Sequence, residues 1–138
     1  MSTWRGALAA RRIDSSTRGF NGITLPMRMP ASLVTIDVAW TKQRHILPAA
    51  RRMVSPDGAV VTLIKPHYEA DQELLAAGVL PQDRVEEVVR AVTEGISSLG
   101  FKVVGTVRSP IHGAKGNVEV LTALRPVAID KPAPGSAV

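Results

Sequence analysis

No cysteine occurs among the 138 residues, which excludes disulfides, thiolate nucleophiles and Cys-based metal sites, and fits a reducing compartment. His45, His67 and His112, the three histidines, show no ligand spacing, so no bound metal is expected. Aromatic residues make up only 4%, and the core must therefore be aliphatic. No apolar run reaches the roughly 20 residues that a membrane helix needs. The start also lacks the apolar stretch of a secretory signal. A cytoplasmic protein with no membrane contact is the expectation. What remains is an ordinary globular composition, 45% hydrophobic and 21% charged, of a length suited to one core. The net charge of +5 favours an anionic partner.

The chain is organised around residues 33–68. LVTIDVAW and AVVTLIKPHY hold two short β-branched runs, 33–38 and 59–64, the pattern of strands buried on both faces of a parallel sheet. The first run ends on Asp37 and the second on Lys65. Ligands of open α/β sheets bind beyond the carboxyl ends of strands, so these two charges are expected side by side at such a site. Between them, Ile46, Leu47, Ala50 and Val54 are spaced as one face of a helix. Pro48 is best tolerated in a first turn, which places the helix start near Ile46 or Leu47. SPDG at 55–58 reads as the turn that launches the second strand.

Pro66 takes the chain out of the sheet into a loop, and residues 71–78 read as a short helix or turn. Residues 81–99 are the most regular helix, with Val85, Val88, Val89, Val92, Ile96 and Leu99 on one stripe and Gly100 as its C-terminal cap. Residues 101–107 form a third strand, and 118–124 return as a fourth, antiparallel to it. Residues 1–30 are Arg-rich and broken by Gly19, Gly22, Pro26 and Pro30. They read as a loosely ordered segment in which residues 4–13 form at most a short helix. The 31–127 core follows, and 128–138, rich in Pro, Ala and Gly, read as a disordered tail. The expected fold is α/β: a partial Rossmann-like sheet, mixed, ending in an antiparallel strand pair.

LVTIDVAW, LIKPHYEA and SPIHGAKGNVEVL together resemble three motifs in the C-terminal half of the catalytic domain of FtsJ/TlyA-like RNA 2′-O-methyltransferases. The resemblance implies a methyltransferase sheet, S-adenosylmethionine as cofactor and RNA, rRNA in particular, as partner. It also implies a Lys-Asp-Lys-Glu tetrad, of which Asp37, Lys65 and Glu119 match the last three members, Asp37 lying against the cofactor as well. The first Lys and the glycine-rich strand-turn-helix that holds the methyl donor find no counterpart, since Gly19 and Gly22 follow no expected strand. The expectation is thus a family member truncated at its cofactor half, which would take a second copy or a partner chain to complete it. The alternative is a noncatalytic RNA-binding remnant.

Ribose methylation needs the 2′-hydroxyl proton removed as the new bond forms. Lys65 is the candidate base, and that role asks for a pKa lowered toward ~7–8. An ion pair of Asp37 with Lys65 that serves only the fold is the plainer alternative. Trp40 and Tyr68 leave the strands on the same side and are candidates for stacking on a base. Arg108, His112 and Lys115, in the glycine-bearing loop, are candidates for backbone contacts to RNA.

Overall fold

A computed structural model describes residues 30–128. The readings made for the Arg-rich start and for the tail, Gly19 and Gly22 included, lie outside the described residues. The described chain runs β1 (Ala31–Ile36), α1 (Gln43–Met53), β2 (Val54–Ile64), α2 (Pro66–Glu69), α3 (Gln82–Ser97), β3 (Phe101–Arg108) and β4 (Val120–Pro126). Its four strands make one sheet in the order β1-β2-β4-β3. β1 and β2 pair in parallel, whereas β4 is antiparallel to both β2 and β3. This is the mixed, partial Rossmann-like sheet that the sequence led us to expect.

Because β4 runs backwards between β2 and β3, its first residue lies where both neighbours end: Val120 pairs with Ile64 and with Arg108. One edge of the sheet therefore collects Asp37, Lys65, Arg108 and Glu119. α1 and α3 touch each other and lie on the same face. Under them the core is aliphatic apart from Phe101, with Leu47, Val60, Ile64, Val85, Ile96 and Leu124 almost wholly buried. Sinking one such side chain from water stabilises the fold by ~1.5–3 kcal/mol.

The expectation of strands buried on both faces is corrected here. β2 alternates buried and half-buried residues from Gly58 to Ile64. The second face presents Leu33, Val61, Leu63, Val107 and Leu121, with Val107 opposite Leu121 and Leu121 opposite Leu63. Leu33 is 51% and Val107 61% exposed. Continuous apolar runs fit double burial, but they fit equally a face that the described residues leave open.

Three local readings also change. α1 begins at Gln43, and Pro48 sits inside it. The missing N–H and ring clash of an interior proline cost ~3 kcal/mol, against which stand the buried Leu47 and Ala50 of the same helix. The SPDG stretch is not a separate turn but part of β2, looped out where the register jumps from Ala31 opposite Val54 to Leu33 opposite Ala59. Gly58 belongs in that bulge because a Cβ there would lie 2.7 Å from Val54 and 3.0 Å from the Ala31 carbonyl. Pro66 opens the single-turn helix α2 rather than a loop, its fixed φ and absent N–H both suiting a first helical position. Gly100 follows α3 with φ of +84°, the left-handed stop anticipated from the sequence.

Candidate functional site

Lys65 lies at the carboxyl end of β2 with its side chain 17% exposed. Its Nζ is 2.9 Å from Asp37 Oδ1 and 3.9 Å from Glu119 Oε1. The three residues singled out in the sequence therefore meet at one sheet edge. Their surroundings differ, because Asp37 is 71% exposed whereas Glu119 is 13% exposed. Glu119 is set by its loop. The Ser109 N–H donates to its carbonyl at 2.9 Å, and its carboxylate lies against the α-carbon of Gly113, where a Cβ would displace it.

The Lys65 pKa is raised above its ordinary 10.5, first by the hydrogen bond to Asp37 and then by the nearby negative charges of Asp37 and Glu119, with burial opposing. In this state the residue is an ammonium ion. The expectation of a pKa lowered toward neutrality is corrected accordingly: among the described residues two carboxylates shift the Lys65 pKa by their charge, and no second cation does.

The glutamate of the KPHYE motif, Glu69, was not singled out in the sequence. Its carboxylate accepts the Gln43 N–H at 2.7 Å, while Lys42 Nζ donates to its carbonyl at 3.0 Å. Glu69 thus caps α1 from a different helix, placing negative charge at the positive end of the α1 dipole. Burial pushes its pKa up from the ordinary 4.5, against the Gln43 hydrogen bond and nearby positive charge. Its motif spacing was the available signal, four residues after Lys65. Next to it, His67 is buried with neither ring nitrogen partnered, and burial followed by the Lys65 charge holds its pKa below the ordinary 6.5. That combination favours neutral imidazole beside Lys65.

Trp40 is 81% exposed and takes a φ of +59°, an unfavourable conformation for a bulky side chain. Its ring stands edge-on to that of Tyr68, the centroids 6.5 Å apart. The aromatic pair therefore stands close to Lys65. The basic loop residues differ among themselves. Arg108 is bound to Glu86 of α3, and Lys115 donates to the Ala77 carbonyl at 3.0 Å. Both contacts lie at the surface, with the Arg108 side chain 49% exposed and Lys115 exposed, so each cation keeps donors open to solvent. His112 is exposed.

The described residues fit a methyl donor only in part. Asp37 and Trp40 border the space beyond β1, but neither the β1–α1 junction nor the β2–α2 junction contains the glycines that let backbone N–H groups close on a ligand. A cleft of about 490 Å³ opens elsewhere, between α1, α2 and α3, and none of the three clustered charges lines it. Among the described residues no group of His, Asp or Glu is arranged to hold a metal ion, and no helix is long and apolar enough to cross a membrane.

Comparison with known proteins agrees with the motifs. No family model matches the chain. A protein named 16S/23S rRNA (cytidine-2'-O)-methyltransferase TlyA, from Mycobacterium tuberculosis, is 34% identical over 96 residues, 67% of this chain and 35% of that protein. Hemolysin A of Brachyspira hyodysenteriae is 34% identical over 92 residues, 65% of this chain and 38% of that protein. A solved structure titled "Putative hemolysin from Streptococcus thermophilus" superimposes with a TM-score of 0.67 at 36% identity, over 70% of this chain and 35% of that one. The chain thus spans little more than a third of the length of the curated relatives it matches.

Proposed function

This chain belongs to the FtsJ/TlyA-like family, and from that premise we propose that it takes part in methylating a ribose 2′-hydroxyl of RNA, rRNA in particular, with S-adenosylmethionine as donor. The observation that carries the reading is the convergence of Asp37 and Glu119 on the half-buried ammonium of Lys65. A ribose hydroxyl at that ammonium is held by a charge-assisted hydrogen bond. To act as base, Lys65 must first give up a proton. Asp37, which contributes most to holding that proton, is also the exposed partner. When a ribose hydroxyl takes over the Asp37 hydrogen bond, the largest influence holding the Lys65 proton is gone. The ammonium releases that proton to solvent at the exposed Asp37 side, and the free amine then accepts the 2′-hydroxyl proton as the ribose oxygen gains the methyl group. Trp40 and Tyr68 supply ring faces for a neighbouring unstacked base.

A second reading has its own support. Among the described residues neither parallel strand, β1 or β2, is followed by a glycine-bearing turn into a helix, and Lys65 is held as an ammonium ion. A noncatalytic RNA-binding role accords with both features. Incubating the purified chain with unmethylated rRNA and methyl-labelled donor, then mapping 2′-O-methyl groups by mass spectrometry, separates the two. Ribose label that disappears in Lys65→Ala supports the enzyme. Salt-sensitive RNA binding without label supports the noncatalytic reading, and neither activity refutes both.

A further inference from the structure

Two tight turns face each other behind the candidate site. In the first, Ala77 and Gly78 both have positive φ, +50° and +81°, and Ala76 and Val79 exchange backbone hydrogen bonds at 2.9 Å. The second lies in the β3–β4 loop, where Lys115 and Gly116 have φ of +57° and +80° and the Gly113 N–H reaches the Asn117 carbonyl at 2.8 Å. A non-glycine residue in the left-handed region is uncommon and costs ~1–2 kcal/mol. Ala77 and Lys115 both sit there, one on each turn.

Asn117 joins the two. It is 3% exposed, and its side chain is fully used. Oδ1 accepts the Leu80 N–H at 3.0 Å, and Nδ2 donates to the Gly78 carbonyl at 3.0 Å and the Ala114 carbonyl at 2.9 Å. Burying an amide is costly unless its polar atoms are paired, and here each pairing ties one turn to the other or closes the second. Fixing Asn117 fixes Gly113, bonded to its carbonyl, and Gly113 is the wall against which the Glu119 carboxylate rests. The φ of Gly113 is −77°, open to any residue, so a side chain there would be accommodated by the backbone but would displace the Glu119 carboxylate.

We infer that Asn117 is a positioning residue for the Lys65–Glu119 pair, acting through Gly113 to hold the Glu119 carboxylate at the Lys65 ammonium. The inference rests on the reading of Lys65 and Glu119 as the working pair, yet its test needs no methyl transfer.

The readout is the titration of Lys65, followed by NMR of the side-chain methylene next to Nζ. Glu119→Gln removes a charge that supports the ammonium and should shift the titration down. In an Asn117→Ala background the same Glu119→Gln change should produce little further shift, because the carboxylate has already left its place. Gly113→Ala should lower the Lys65 titration with Asn117 intact, and the allowed backbone there keeps it a folded control. A full Glu119→Gln shift surviving in Asn117→Ala would overturn the inference, leaving Asn117 a fold-stabilising amide alone. If Gly113→Ala left the titration unmoved, the proposed route would also be wrong. No shift from Glu119→Gln in the parent chain would overturn the Lys65–Glu119 pair itself, and the positioning role with it. Absent methyl transfer with these shifts intact would count against the proposed function only.

Discussion

Asp37 Oδ1 lies 2.9 Å from Lys65 Nζ, yet one side chain is 71% and the other 17% exposed. The pair joins a solvent-washed carboxylate to a sheltered ammonium, so its strength depends on a partner that water can take away. Surface pairs of this kind contribute ~0–1 kcal/mol. Their effect on protonation is easier to see than their effect on stability.

The first prediction concerns pH. Lys65 has a folded pKa above its ordinary 10.5, chiefly because of Asp37. A raised lysine pKa means that the folded state holds the proton more tightly than the unfolded chain. The stability it contributes is complete below the unfolded value and is lost as pH rises through the folded one. Urea midpoints of the parent chain should exceed those of Asp37→Asn between neutral pH and 10.5, and the gap should close above it. A gap unchanged at the alkaline end would show that Asp37 acts on stability by another route.

Glu69 gives the second prediction, with its own sign. Burial raises its carboxyl pKa above 4.5, so its proton-linked contribution is complete below that value and declines as pH rises through the folded one. Glu69→Gln retains an acceptor for the Gln43 N–H without the buried charge. Its stability relative to the parent chain should therefore improve as pH rises from acid to neutral. Glu69→Ala also removes the cap and should be ~1 kcal/mol less stable than Glu69→Gln at every pH. Urea titrations of both variants at several pH values check this. A Gln variant as damaged as the Ala variant would mean that the charge itself is needed at the α1 dipole.

How much of this was legible in the sequence depends on what each feature is made of. Asp37, Lys65 and Glu119 could be placed together because strand ends are marked by a switch from apolar to charged residues, and three motifs fixed which charges to choose. α3 was legible through its valine stripe. The Pro48 position was not, because local chemistry favours a first turn and the tertiary burial of Leu47 and Ala50 overrides it. Nor was the pairing of Arg108 with Glu86, since residues on a strand end and a helix acquire their proximity only from the packed fold. The left-handed φ of Trp40 is likewise invisible in a residue type that rarely adopts it.

Trp40 yields a prediction in which stability and binding part company. Relieving a left-handed non-glycine residue gains ~1–2 kcal/mol, reduced by the chain entropy of glycine. Trp40→Gly should therefore leave the fold as stable as the parent or slightly more so. The same change removes an exposed ring and should cost RNA affinity, by ~1–3 kcal/mol if one base stacks there. Thermal melts and filter binding on single-stranded rRNA fragments read the two effects separately. Unchanged affinity would remove Trp40 from the proposed RNA surface.

Arg108 is expected to answer to its partner. With Glu86 bound to it, Arg108→Ala should weaken RNA binding little. Glu86→Ala should strengthen binding and steepen its salt dependence, by ~0.7–0.9 in the log–log slope if one further phosphate is neutralised. Affinity measured across a salt series decides. A flat response to Glu86→Ala would place the RNA away from this edge.

The open sheet face supports the last prediction. Leu33, Val107 and Leu121 present apolar surface that the described residues leave uncovered, and in the described sheet β1 is an outer strand without a charged residue from Ala31 to Ile36. Unguarded edges and apolar faces favour association, and we expect a second copy or a partner chain there. Val107→Thr together with Leu121→Thr should each cost under ~1 kcal/mol, as exposed substitutions do, whereas Leu124→Ala in the buried face should cost ~2–5 kcal/mol. The same two threonines should reduce association in light scattering and lower the binding of a dye that reports exposed apolar surface. A parent chain that stays monomeric at high concentration and takes up no dye would show that the face is covered within the chain itself. The threonine substitutions should then become as costly as core ones.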